Sequence, residues 1–200
     1  MKEFTSQAAR QALERLIEGN ARAVQGKPEH PHQDVEYRRK LAGCQHPFCT
    51  ILTCADSRTC PEMIFDQGLG DIFVLRVAGN VLDDVLLGSI EFATNHLKTP
   101  LVMVLGHSQC GAIKAVSMLA PGETLPGHLS VIMPPIQAAL KEAADMEGDW
   151  VDNAAKVLAR NVAAEIESSP PVMTKLIAEN AVSVVAAYYD LESGQVDILD

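Results

Sequence analysis

Apolar residues recur at Ala9, Leu13, Leu16 and Ile17. That spacing predicts a helix over Thr5 to Asn20, capped by Thr5 or Ser6. The polar stretch Gln25 to Asp34, with Pro28 and Pro31, predicts a loop, and Val35 to Ala42 a short helix stopped at Gly43. The pattern then changes. Phe48 to Thr53, Ile72 to Val77 and Leu101 to Leu105 are short, largely apolar runs, as expected for strands of a parallel sheet covered on both faces. Asp83 to Leu97 reads as a helix with its apolar side at Leu86, Leu87, Ile90, Phe92 and Ala93. Ala112 to Leu119, Leu129 to Met146, Val151 to Glu167 and Val172 to Glu179 read as further helices, the second carrying Pro134-Pro135 as a break. Val182 to Tyr189 is a fourth strand, and Ser193-Gly194 turns it into a final strand, Gln195 to Leu199. The alternation predicts an α/β fold: a mostly parallel four-stranded central sheet with an added C-terminal antiparallel strand, flanked by helices.

The composition, 48% apolar and 21% charged over 200 residues, allows one domain with a substantial core. A single domain over 1–200 is expected, with a helical arm over about 1–43. The net charge of −10 and the lack of a basic stripe argue against a nucleic-acid partner. Lys2, Glu3, Arg10, Glu14, Arg15 and Glu18 leave no room for the apolar core of a signal peptide, and no apolar run is long enough to span a bilayer. A soluble, cytoplasmic protein without a membrane partner is expected. Five cysteines in a chain of this size suggest metal ligands or buried apolar residues, not disulfides.

In parallel sheets chemistry gathers beyond the carboxyl ends of the strands. Two segments fall there: Cys54-Ala55-Asp56-Ser57-Arg58 and Gly106-His107-Ser108-Gln109-Cys110-Gly111. If their strands are neighbours, Cys54, His107 and Cys110 meet. Two thiolates and an imidazole suit Zn2+, and three protein ligands leave a fourth position open, as a catalytic site requires. Cys110 also opens a predicted helix, whose positive end favours thiolate. Asp56 and Arg58 stand two apart in a turn, where the guanidinium holds the carboxylate ionised. Beside a metal, Asp56 can accept a hydrogen bond from a water there or replace that water as a ligand. Each feature has a plainer alternative, a buried packing cysteine or a surface ion pair. Their combination at two strand ends favours the metal.

These two motifs resemble those of the β-class carbonic anhydrases. The segment Gly70 to Asn80 is similar to the stretch between them in that family, Gly88 to Ala93 resembles its following helix, and Tyr189 to Gly194 its C-terminal hairpin. The resemblance covers roughly residues 40 to 200. It implies zinc held by Cys54, His107 and Cys110, a catalytic pair Asp56 and Arg58, and hydration of CO2 to bicarbonate and a proton. It further implies a substrate pocket with Gln45 reaching across a dimer interface, Phe73 as an apolar wall, and Phe92 and Gly111 alongside. Phe92 replaces a tyrosine of some members, and Thr59 stands where the family usually has valine. A homodimer or homotetramer is implied, with Leu13, Leu16 and Ile17 offering a stripe either to the partner or to the chain's own core.

Hydrolysis of COS or CS2 on the same scaffold and a non-catalytic zinc-binding regulatory protein are the alternatives; the Asp56–Arg58 pair speaks against the second. Some members close the site with the aspartate and bind bicarbonate at a separate Trp–Arg–Tyr pocket. Here the tryptophan position is Ile51, Arg76 matches the arginine, and Tyr188 or Tyr189 matches the tyrosine. An open site near neutral pH is therefore expected, with Asp56 on Arg58. Cys44, Cys49 and Cys60 read as packing or free thiols, with Cys44 and Cys60 near the pocket. His30 and His32 read as solvated, and Trp150 and the methionines as core.

Overall fold

The structure is a computed structural model that describes residues 6–199. Helix α1, Gln7–Val24, is capped by Ser6, whose side chain accepts the Ala9 N–H. Thr5, the other candidate cap, lies outside the described residues. The helix runs four residues past the expected end and turns Ala9, Ala12 and Leu16 inward. Leu16 is fully buried among Ile51, Phe65 and Leu105, whereas Ile17 on the adjoining face is exposed. Of the stripe read from the sequence, Leu16 therefore serves the chain's own core. Its truncation to alanine costs about 2–5 kcal/mol, as for other fully buried leucines.

After α2, Val35–Leu41, the chain alternates: β1 Cys49–Cys54, α3 Pro61–Ile64, β2 Ile72–Val77, α4 Asp84–Glu91, β3 Leu101–His107, α5 Gly111–Ser117, α6 Met133–Glu142, α7 Trp150–Ser168, α8 Val172–Ala178, β4 Ser183–Tyr189 and β5 Val196–Leu199. The sheet order is β2-β1-β3-β4-β5. The first four strands are parallel and β5 is antiparallel to β4. Among the described residues, no helix is long and apolar enough to cross a membrane.

Three elements differ from the expectation, each for a local reason. The Leu129–Met146 helix is not broken at Pro134-Pro135. A 3-10 segment, Gly127–Ile132, precedes it, and the prolines sit in the first turn of α6, where a missing N–H costs nothing. The Asp83–Leu97 helix widens into a π turn at Phe92–His96, where the Thr94 hydroxyl donates to the Ile90 carbonyl at 2.8 Å. The short helix α3 was not visible in the periodicity, because four residues contain barely one turn.

The two faces of the sheet carry separate cores. Leu52, Val102, Val104, Val184 and Ala186 face α5 to α8. Cys49, Ile51, Leu101, Met103, Leu105, Val185 and Ala187 face α1 and α3. Gly106 permits the closest approach on the first face. A Cβ there would stand 2.9 Å from the Ala155 carbonyl of α7. This contact seats the carboxyl end of β3.

Candidate metal centre

Strands β1 and β3 are hydrogen-bonded neighbours, with Thr53 opposite Leu105. Their ends therefore deliver Cys54, His107 and Cys110 to one buried spot, where the three ligating atoms lie within 4.8 Å of one another. His107 Nδ1 lies 2.8 Å from the Ser108 carbonyl. That oxygen can only accept, so Nδ1 carries the proton and Nε2 presents a lone pair. Nε2 is buried with no hydrogen-bond partner among the described residues. A buried acceptor without a donor costs about 1–3 kcal/mol. An ion between Nε2 and the two sulfurs removes that cost, so the donor set fits a metal.

The thiols are electrostatically paired. Hydrogen bonding from Cys110 holds the Cys54 thiol well below its ordinary value, against burial and with help from the Gly79 N–H. The Gly79 N–H donates to Cys54 Sγ at 3.3 Å, from a turn in which Gly79 has φ of 72°. Cys110 is pushed up by the same contact and by burial. Two buried sulfurs this close resist carrying two negative charges on their own; a divalent ion supplies the charge that favours two thiolates.

Asp56 and Arg58 form a forked pair beside this group. Arg58 donates from Nε to Oδ1 at 2.9 Å, from a terminal nitrogen to Oδ2 at 2.8 Å, and from its backbone N–H to Oδ1 at 3.0 Å. The guanidinium holds the Asp56 carboxyl well below the usual carboxylate range, against partial burial. Arg58 also reaches the Gln109 carbonyl at 3.4 Å and so links the two turns. A cavity of about 490 Å³ opens beside it, lined by Ser57, Arg58, Cys60, Met63, Tyr189 and Glu192 among others. Cys60 is thus near the dyad. Cys44 is exposed, Cys49 is buried, and all five thiols are free.

Of the remaining expected pocket residues, Phe73 packs against the core cluster that contains Cys54 and Cys110. Phe73 and Phe92 contact each other with ring centroids 6.3 Å apart, and Phe92 stacks on His96. Phe92 is 47% exposed and Gln45 is exposed. Gly111 opens α5 directly after Cys110, with no atom within 4 Å of a built Cβ. Ile51 and Tyr189 belong to the α1 face, and strand alternation puts Arg76 there too, whereas Tyr188 faces α7. The Arg76 guanidinium donates to the carbonyls of Cys54 and Asp56.

Several supporting groups had no local signal in the sequence. Asp152, on α7, accepts the Gln109 N–H at 2.9 Å and holds Gln109 at a φ of 53°. Asp71 binds Arg15 and His32, both at 2.8 Å, and His32 stacks on Tyr37; His32 is therefore a structural residue and not a solvated one. Trp150 is not core either. It is 44% exposed and donates to the Leu140 carbonyl. Met63 and Met118 are likewise exposed.

A parallel sheet with a Cys–His–Cys group at its carboxyl edge and a carboxylate–guanidinium pair beside it defines an α/β enzyme built around a metal-capable centre. The family model for carbonic anhydrase matches residues 49–196. Among curated proteins, the chain is 37% identical over 188 residues to a carbonic anhydrase of Mycolicibacterium smegmatis, covering 94% of this chain and 91% of the relative. It is also 37% identical over 194 residues to carbonic anhydrase 2 of Mycobacterium tuberculosis, covering 94% and 92%. Among solved structures, one of two tetrameric β-carbonic anhydrases from Sordaria macrospora superposes with a TM-score of 0.75 at 25% identity, covering 97% of this chain and 98% of that one. The chain belongs to the β-class carbonic anhydrases, enzymes of carbon dioxide hydration.

Proposed function

We propose that the chain hydrates CO2 reversibly to bicarbonate and a proton as a zinc enzyme, with the ion held by Cys54, His107 and Cys110. The observation that carries this reading is the unpartnered His107 Nε2 beside two buried thiols. The donor set favours zinc over harder cations. When bound, zinc supplies the Lewis acidity that makes a water nucleophilic near neutral pH. Two thiolates neutralise more of its charge than imidazoles would, so the polypeptide must assist. Asp56, kept ionised by Arg58, accepts a hydrogen bond from the attacking water and orients its lone pair towards CO2. Phe73, Phe92, Gln45 and Gly111 line the substrate pocket.

The test is stopped-flow CO2 hydration on protein of measured zinc content. One zinc per chain and turnover are expected. Asp56→Asn, which removes charge at nearly constant volume, should keep its zinc and lose about 10²–10⁴-fold in kcat. Zinc-loaded protein inert towards CO2 but active on COS or CS2 would move the assignment to those substrates. Inactivity towards all three would leave a zinc-binding regulatory protein.

We read residues 1–200 as one domain with a helical arm over about 1–43, assembled as a homodimer or homotetramer. The half-exposed Phe92, with the exposed Gln45, supports a pocket completed by a second copy, and the Sordaria macrospora relative is tetrameric. Five free thiols fit the cytoplasm. Arg76 is engaged by backbone carbonyls and Ile51 offers no indole, so we expect no bicarbonate regulation at that position and an open site near neutral pH.

A further inference from the structure

The turn that carries Asp56 is tied at two carbonyls, and each has two kinds of side-chain donor. Thr59, fully buried, places Oγ1 2.9 Å from the Cys54 carbonyl and 2.9 Å from the Asp56 carbonyl. Arg76, on the edge strand β2, reaches the same two oxygens from outside: Nε to Cys54 at 3.2 Å and a terminal nitrogen to Asp56 at 2.6 Å. The Thr59 N–H also donates to the Asp56 carbonyl, at 3.0 Å, and the Ala55 N–H donates to Val77 at 3.1 Å. A hydroxyl has one hydrogen and a carbonyl oxygen two lone pairs. Thr59 therefore serves one carbonyl at a time, and Arg76 covers the other. Both peptide planes flanking Ala55–Asp56 are fixed, and with them the direction in which the Asp56 side chain leaves the turn.

From this doubled set of donors we infer that Thr59 and Arg76 form a clamp that positions Asp56 against Arg58 for the reaction proposed above, on which the inference rests. Neither residue touches the reacting atoms; both act through the backbone of the Cys54–Arg58 turn. Valine at position 59 has the volume of threonine but no side-chain donor, and would leave the side-chain ties on these carbonyls to Arg76. The clamp is redundant, so its signature is non-additivity. Removing one donor side chain leaves the other to hold the turn with the backbone N–H groups, and removing both loosens it.

The experiment is a double-mutant cycle on the zinc-loaded protein. Thr59→Val and Arg76→Met, each of which removes the side-chain donor, should each lower kcat by less than about threefold. The double variant should lose about thirtyfold or more, beyond the product of the singles, as expected for residues sharing partners. KM and zinc content should stay unchanged, and Thr59→Ser, which restores the hydroxyl, should return kcat to the wild-type value. The second readout is the Arg58 Nε–H signal in a ¹⁵N spectrum, assigned by its absence in Arg58→Lys. It should persist in the single variants and vanish in the double variant. Purely multiplicative losses, a Thr59→Ser variant as impaired as Thr59→Val, or an unchanged signal in the double variant would each overturn the clamp. If the wild type has no CO2 hydration, the proposed reaction fails, and the Arg58 signal still decides the clamp. If the double variant does not fold, Thr59→Ala with Arg76→Leu replaces it. Neither side chain carries a donor, so the same cooperative loss is expected and a multiplicative one would overturn the inference.

Discussion

The two turns that build the centre are held in opposite ways. The Cys54–Thr59 turn carries the reactive pair and is half open: Arg58 is exposed, Asp56 is partly buried, and Arg76 ties the backbone from the solvent side. The His107–Gly111 turn carries two of the three residues of the metal-capable group and is held mainly from within. Gly106 lies against α7, the Ser108 N–H donates to the Tyr189 carbonyl at 2.9 Å, and the Ser108 hydroxyl accepts the Leu191 N–H at 2.8 Å. The contrast follows from the work each turn does. Two side chains proposed to hold one ion must not move, because a small displacement would change the geometry offered to it. The carboxylate–guanidinium pair, by contrast, has to meet water and substrate in the role proposed for it and therefore stays open to solvent. The link between them is Arg58, which reaches the Gln109 carbonyl.

The largest expected effect breaks the contrast by removing ligands. Cys54→Ala, His107→Ala and Cys110→Ala should each lose most bound zinc, measured by elemental analysis after dialysis, together with most activity. Near-stoichiometric zinc in all three would end the ligand assignment. His107→Ala is the sharpest case, because its Nε2 is a buried atom without a partner among the described residues.

A smaller effect lies one shell out, at Asp152. Its carboxylate is the acceptor for the Gln109 N–H at 2.9 Å, and Gln109 occupies the left-handed region that costs a non-glycine residue about 1–3 kcal/mol. Asp152→Ala should free that peptide and weaken zinc binding about 10-fold, the lower end for groups supporting a ligand, read by competition with a chelator. Asp152→Asn, which keeps an acceptor oxygen, should recover most of the affinity. Equal affinities in wild type and Asp152→Ala would mean that the second turn holds its shape without α7.

That expectation marks where sequence reading stopped. The Cys–His–Cys group and the Asp56–Arg58 pair were legible because each sits beside its strand end, so a few consecutive residues contain the whole signal. The strands were legible because a buried parallel strand is apolar on both faces, as in Ile51–Leu52 and Val102–Val104. Asp152 lies 43 residues from Gln109, and Arg76 lies 20 residues from Asp56. Nothing local distinguishes such residues from solvated charges, and only strand order brings them to the site. The same reason hid His32, whose partner Asp71 is 39 residues away. The prolines of α6 misled differently: Pro134-Pro135 reads as a break anywhere in a helix except its first turn.

The smallest expected effect concerns the outer support of the second turn, the hairpin between β4 and β5. Asp190 accepts the Ser193 N–H and the Ser193 hydroxyl, both at 2.7 Å, directly after Tyr189, which holds Ser108. The Ser193 N–H, then its hydroxyl, hold the Asp190 carboxyl below the usual carboxylate range, against slight burial. A carboxyl lowered in the folded state binds fewer protons there than in the unfolded chain. Its contribution is therefore complete above the unfolded value of about 3.9 and fades as pH falls through the folded value. At this largely solvated site it should amount to less than about 1 kcal/mol. Urea denaturation of metal-free protein, which excludes effects of zinc release, should find wild type slightly more stable than Asp190→Asn near neutral pH. The difference should shrink as the pH drops below about 4. A difference that stays constant or grows on acidification would show that the hairpin is held without the Asp190 charge. The second turn would then differ from the first in having no ionised group in its support except Asp152.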